Sequence, residues 1–209
     1  MASESGSKVY LIVLAAGESR RLGRPKQLLK LDGTELVAHV VERAQASPID
    51  GVMIVTGAHR AAVESAIEDR DVTTVFNPVF AEGQGTSLAA GVRALPDIAD
   101  AVIVLLGDMP AISSDVIFAL AHLWREHRPV AAIARYRSGR GHPVLFDREL
   151  FPELQQLAGD EGARKLLKRL GDRVVEIPVD ADEPPQDVDT EEDWERLQRE
   201  WNAVGDDAR

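Results

Sequence analysis

An α/β fold with a mostly parallel central sheet is predicted by three features of this sequence. Short β-branched apolar runs recur, amphipathic stretches of helical length lie between them, and the two kinds alternate. The first run, Val9 to Leu14 (VYLIVL), has no polar alternation, as expected of a strand covered on both faces. Similar runs lie at Val52 to Val55, Val72 to Phe76, Ala101 to Leu106 and Val130 to Ala134. Leu36, Val37, Val40, Val41 and Ala44 share one 3.6-residue face, as do Ile117, Leu120, Ala121, Leu123 and Trp124. Ser113 or Ser114 is positioned to cap the second of these helices. Gly139 to Pro143 interrupts the pattern ahead of a short apolar run, Val144 to Phe146. Helical patterns cover 147 to 157 and 161 to 170, and a strand follows at Val174 to Ile177. A final helix starts at Thr190, whose spacing to Asp193 is that of a capping box. Ligands of such sheets sit beyond the carboxyl ends of the strands, which directs attention to the loops that follow them.

No linker or repeat divides the chain. A single domain over residues 8–202 is expected, with a disordered lead at 1–7 and a flexible tail at 203–209. The absence of cysteine excludes disulfides, thiolate nucleophiles and Cys-ligated zinc or iron–sulfur centres. A net charge of -11 argues against nucleic acid and anionic membranes as partners. With no secretory signal pattern and no apolar stretch of membrane-spanning length, a cytoplasmic location is expected. Nine of the acids, with no Lys or Arg among them, fall between Asp180 and Glu195, leaving -2 for the rest of the chain. The acidity is local.

The loop after the first strand has the opposite character. Arg20, Arg21, Arg24 and Lys26 follow within a segment that also carries Gly17 and Gly23. Small residues admit a ligand to backbone N–H groups and cations neutralise phosphates, although a solvated basic loop with turn glycines has the same composition. The spacing is neither that of a Walker P-loop nor G-x-G-x-x-G.

The segment Leu14-Ala15-Ala16-Gly17-x-Ser19-x-Arg21-Leu22-Gly23-x-x-Lys26 resembles the signature loop of the MobA-like nucleotidyltransferases. Asn77 to Leu88 (NPVFAEGQGTSL), with Gly83, Gly85 and Ser87, is similar to the second nucleotide-contacting loop of the molybdenum cofactor cytidylyltransferase branch. Leu106 to Pro110 (LGDMP) resembles its metal-binding turn. Arg140 to Phe146, Gly159 to Arg164 and Asp187 to Asp193 match further motifs in the same order, so matched segments extend from residue 14 to 193. The resemblance implies a three-layer α/β/α Rossmann-like nucleotidyltransferase fold.

It also implies roles. Leu14, Ala15, Ala16, Gly17, Ser19, Arg21, Gly23, Lys26, Asn77, Gly83, Gly85 and Ser87 would bind the nucleotide. Arg21, Lys26 and Asp108 would be catalytic. Asp108 and Asp189, with Asp187 a weaker candidate, would bind Mg²⁺ or Mn²⁺ through hard carboxylate oxygens. From the residues alone, Asp108 equally suits a turn before Pro110, and Asp189 suits the positive end of the following helix. Arg140 and His142 would face the acceptor. The other four histidines show no metal spacing. A phosphate monoester acceptor needs no strong general base, because its second pKa is about 6. This agrees with the lack of a Ser-His-Asp or Cys-His pattern.

The Ala15-Ala16 pair, where guanylyl relatives carry a second glycine, and the GDMP and GHP segments point to CTP and molybdopterin as substrates. The product would be molybdopterin cytosine dinucleotide, with a client molybdenum oxidoreductase as a candidate recipient. The alternatives are GMP transfer, transfer to a sugar or alcohol phosphate, or non-catalytic binding and delivery of a molybdopterin nucleotide.

Overall fold

The computed structural model describes residues 6–160, 162–185 and 187–207. The apolar run after the first residues forms β1 (Val9–Ala15). A two-stranded ribbon, β2 (Lys30–Leu31) and β3 (Thr34–Glu35), leads into α1 (Leu36–Gln45), which buries the face formed by Leu36, Val37, Val40, Val41 and Ala44. Then come β4 (Gly51–Thr56), α2 (Arg60–Ser65), β5 (Thr73–Phe76), α3 (Gln84–Arg93) and β6 (Ala101–Leu106). The chain continues with α4 (Ser114–His127), β7 (Ala131–Arg135) and β8 (Arg140–Asp147). It ends with α5 (Phe151–Leu154), α6 (Arg164–Leu170), β9 (Val174–Pro178) and α7 (Glu191–Asp207).

Seven strands form one sheet in the order β5-β4-β1-β6-β8-β7-β9, and all pairings are parallel except those of β8. Two apolar layers cover its faces. One joins β1, β4 and β6 to α1 and α4 around the fully buried Trp124; the other joins the opposite face to α3, α5 and α6 around Phe146. The predicted mostly parallel sheet with helices on both sides is therefore present.

The order of connection places the site. From β1 the chain proceeds through β4 to β5 on one side, and then returns to pair β6 on the other. The loops after β1 and β6 thus leave the carboxyl edge side by side, at the point where strand order reverses. The register pairs Leu14 with Leu106, and the Gly107 N–H donates to the Leu14 carbonyl at 2.9 Å. Asp108 is held against the cationic loop by this ladder.

Two segments depart from their expected form. Gly139 to Pro143, read as an interruption, belongs mostly to β8, which starts at Arg140. The connection from β7 is too short for a crossover, so β8 must turn back antiparallel, and its first residues reach the carboxyl edge. The segment read as a second loop through Leu88 is a loop only to Gly83, since Gln84 to Leu88 open α3. The expected caps do form. Ser113 accepts from the Asp115 N–H, and Thr190 and Asp193 exchange reciprocal bonds of 3.2 and 2.9 Å. Helix α7 spans residues 203–207 of the segment read as a tail; residues 1–5 of the expected lead and 208–209 lie outside the described residues.

Candidate functional site: a charged cleft at the strand-order switch

The loop after β1 is braced by its own side chains. Ser19, in the left-handed region at φ 57°, accepts the Lys26 N–H on its hydroxyl at 3.0 Å. Its carbonyl accepts the Gly23 N–H at 3.0 Å, and Gly23 takes φ 73°, which a Cβ would disfavour. Buried Gln27 donates to the Gly17 carbonyl at 3.2 Å. The loop is fixed locally, with Lys26 directed back towards the sheet.

There Lys26 Nζ stands 2.5 Å from Asp108 Oδ2 and 2.9 Å from Asp189 Oδ1, while Arg21 lies 2.5 Å from Asp189 Oδ2. Asp187 completes a group in which one oxygen from each of Asp108, Asp187 and Asp189 lies within 4.8 Å of the others. Asp108 is only 3% exposed, and its Oδ2 has no aligned hydrogen bond despite the ammonium beside it. Burial pushes its carboxyl up, with Lys26 pulling the other way. Burial likewise works to lower the Lys26 pKa, but Asp108 and Asp189 overcome it and hold the ammonium above its usual value. A buried carboxylate with unused acceptor capacity and two carboxylate neighbours fits a hard divalent cation with oxygen ligands.

Around this cluster is a cavity of about 420 Å³ on one side of the acidic strand-to-helix segment, and two more that open on the sheet edge. The larger of those two, about 510 Å³, is lined by Leu14, Ala16, Gly17, Arg21, Lys26, Gly83, Ser87, Asp108 and Asp189, all singled out from the sequence. The other, about 340 Å³, has apolar walls that include Leu88, Val104, Val144 and Phe146, with His142 at its edge. Leu14, Gln84, Leu106, Arg164 and Asp187 line both, so the two spaces share a seam.

The remaining expected residues serve as supports or lie elsewhere. Ala15 is turned into the core. Asn77 is buried and donates to Thr86 and Ser87 at 2.9 and 3.1 Å, which ties the segment after β5 to α3. Gly85 donates to the Gly159 carbonyl at 2.8 Å, and a Cβ on Gly83 would stand 2.3 Å from the Gly159 carbonyl carbon. These glycines permit the approach of residues 158–160. Arg140 lines neither edge cavity and pairs with Glu176 at 2.6 Å, so the structure does not bring it to His142's cavity. His142 Nδ1 lies 3.2 Å from the Val104 carbonyl, and burial lowers its pKa, so the ring is neutral with Nδ1 protonated.

Sequence reasoning gave no role to Gln27, Gln84 or Arg164, and left Asp187 behind Asp189. Arg164 ends the Gly159 to Arg164 motif, but no spacing rule marks it. Several other acids of the 180–195 segment form ion pairs while remaining exposed: Asp180 and Asp182 pair with Arg137 at 2.6 and 2.7 Å, and Glu191 with Arg24 at 2.6 Å.

A doubly wound sheet carrying a cationic loop and a carboxylate cluster at its switch point is the arrangement of a nucleotidyltransferase. Residues 11–174 match the MobA-like NTP transferase domain, and the chain belongs to this family. Over 203 residues it is 34% identical to the purine catabolism protein PucB of Bacillus subtilis, covering 91% of this chain and 97% of PucB. It is 27% identical over 180 residues to a probable molybdenum cofactor guanylyltransferase of Pyrococcus horikoshii, covering 82% and 83% of the two chains. The crystal structure of Rv0371C from Mycobacterium tuberculosis in complex with manganese is similar at a TM-score of 0.80 and 28% identity, covering 93% of this chain and 99% of that one.

Proposed function

We propose that this nucleotidyltransferase moves CMP from CTP to the terminal phosphate of molybdopterin, releasing pyrophosphate. The observation that carries the reading is the seam. A cation-lined cavity that holds Lys26, Asp108 and Asp189 meets an apolar-walled cavity along Leu14, Gln84, Leu106, Arg164 and Asp187, as a reaction joining a triphosphate to an organic phosphate requires. Molybdopterin as acceptor is supported by the sequence motifs and by the Pyrococcus relative's name. CTP is supported by Ala16, which lines this cavity at the position where guanylyl relatives carry a second glycine.

In the transfer, an oxygen of the acceptor phosphate attacks the α-phosphorus of CTP in line with the bridge to the β-phosphate. A new phosphorus–oxygen bond forms, the α–β bridging bond breaks, and its electron pair leaves on pyrophosphate. Because the attacking phosphate is already ionised, no side chain has to remove a proton. Lys26 and Arg21 neutralise the triphosphate as charge shifts to the leaving group. Both are paired with carboxylates, and they exchange these partners for phosphates in the transfer. Asp108, Asp187 and Asp189 would hold Mg²⁺ or Mn²⁺, which supplies further charge neutralisation on the phosphates. His142, neutral and with its Nδ1 engaged, offers Nε2 as an acceptor to N–H groups of the organic moiety.

GMP transfer is the second reading, favoured by the same Pyrococcus relative. Pyrophosphate release across CTP, GTP, UTP and ATP, with and without molybdopterin, separates the two. Highest kcat/KM with CTP and molybdopterin is expected; preference for GTP selects the second reading, and no turnover with CTP ends the first. Binding of a molybdopterin nucleotide without turnover of any triphosphate would instead indicate a delivery protein.

A further inference from the structure

Four cationic side chains line the larger edge cavity: Arg20, Arg21, Lys26 and Arg164. Three are already paired, Arg20 with Glu18 at 2.6 Å, Arg21 with Asp189, and Lys26 with Asp108 and Asp189. Arg164 has no ion pair or hydrogen bond among the described residues. It also stands where helix physics disfavours it. As the first residue of α6, in a turn without an acid, its charge faces the positive end of the helix. A residue that opposes its local preference without compensation marks a functional position.

Its placement is also over-determined. Gly159, five residues ahead of Arg164, is clamped to the start of α3 by the Gly85–Gly159 hydrogen bond and by the close approach at Gly83. Gly162, at φ 52°, adds a second fixed turn against Gln84. Arg164 is therefore fixed relative to the segment that lines the nucleotide cavity, while it also lines the cavity of His142. A guanidinium without a partner among the described residues, at the seam of two cavities, suits bidentate recognition of a phosphate that must lie between them.

We propose that Arg164 anchors the acceptor's phosphate monoester at this seam, as a positioning residue distinct from the cations that hold the triphosphate. This rests on the nucleotidyl-transfer reading above and adds the residue that grips the second substrate.

The test compares wild type, Arg164→Gln and Arg164→Lys in two arms. In the first, initial rates with CTP and molybdopterin are combined with CTP binding measured by calorimetry. Arg164→Gln should raise the acceptor KM about ten- to hundredfold, with the Kd for CTP unchanged within about twofold. Arg164→Lys, which keeps the charge but loses the planar fork, should fall between. Equal weakening of CTP, or an unchanged acceptor KM, overturns the proposal. The second arm measures radiolabelled inorganic phosphate by equilibrium dialysis against protein saturated with α,β-methylene-CTP and Mg²⁺. Phosphate should bind wild type and be lost from Arg164→Gln. Equal binding, or none to wild type, overturns the assignment. Absence of wild-type turnover would refute the substrate reading alone, because the phosphate arm still decides Arg164.

Discussion

The cationic loop at residues 16–26 and the acidic segment at 180–195 carry opposite charge and meet at one place, but they are built in different ways. The loop holds itself: Ser19, Gly23, Lys26 and Gln27 bond to one another or to Gly17 within a dozen residues. The acidic segment has one local brace, Asp193 bonded to Asp189 and Thr190, and is otherwise held by distant partners. Its backbone accepts from Arg137 and Ser138 at Ala181 and Asp182, Pro184 fits where Gly141 has no side chain, and Val188 is buried with Leu29, Leu36 and Trp194. Arg21 and Lys26 on Asp189, and Arg24 on Glu191, then join the two. A locally encoded arm and a tertiary-encoded arm thus share one cluster, and variants can load each separately.

The largest effect is expected where the arms meet. Asp108→Asn should reduce kcat/KM for pyrophosphate release about 10³-fold or more, on the scale of losing a group that stabilises developing charge. Its Tm should match or exceed that of wild type, because burial disfavours the carboxylate charge and Lys26 keeps Asp189 as a partner. With the folded pKa of Asp108 raised, wild type loses stability as pH rises from the ordinary carboxylate value through the folded pKa. The Tm advantage of Asp108→Asn, measured in EDTA, should therefore be absent near pH 3.5 and grow above it. An advantage that shrinks as pH rises would mean that Asp108 gains more from Lys26 than it loses by burial.

Lys26→Met should also remove turnover, but with an opposite effect on metal. Taking a positive charge away from Asp108 and Asp189 should tighten Mn²⁺ binding to the nucleotide-free protein by about tenfold or more, read by calorimetry. Weaker Mn²⁺ binding would show that the lysine organises the carboxylates and does not compete for them.

Smaller effects separate the arms. Ser19→Ala removes the brace on the Lys26 N–H and should weaken CTP binding by about five- to tenfold, on the scale of one hydrogen bond, with little change in nucleotide-free Mn²⁺ affinity. Val188→Ala should do the reverse: a loss of about 1–2 kcal/mol in urea unfolding and weaker Mn²⁺ binding. If both variants changed both readouts equally, the two arms would be one unit. The smallest effect is expected from Arg137→Ala. Its ion pairs to Asp180 and Asp182 are mostly exposed, and Tm and turnover should not move measurably.

Much of this design was legible in the chain. The apolar runs identified β1, β4, β6 and β7 to within a residue or two, because strands covered on both faces carry an uninterrupted signal, and the exposed edge strands β5 and β9 were legible from their β-branched residues. The start of β8 was not legible, since Arg140, Gly141 and His142 lie at an edge where burial imposes no pattern. Within the site, the residues of the cationic loop, with Gly83, Ser87, Asp108 and Asp189, could be picked out by motif. That Arg140 turns away to Glu176, and that Asp187 and Arg164 turn in, depends on contacts across 36 or more residues.

The sequence by itself determined the layered α/β fold, the cationic loop and the presence of a dense run of acids. Those follow from hydrophobic period, turn chemistry and charge, which act over neighbouring residues. Only the tertiary structure decided which of the nine acids meet the loop, which pair with Arg137, and which remain in solvent. Charge density along a chain sets no direction, whereas packing of Val188 and Pro184 fixes the path of the segment that brings Asp187 and Asp189 to the loop.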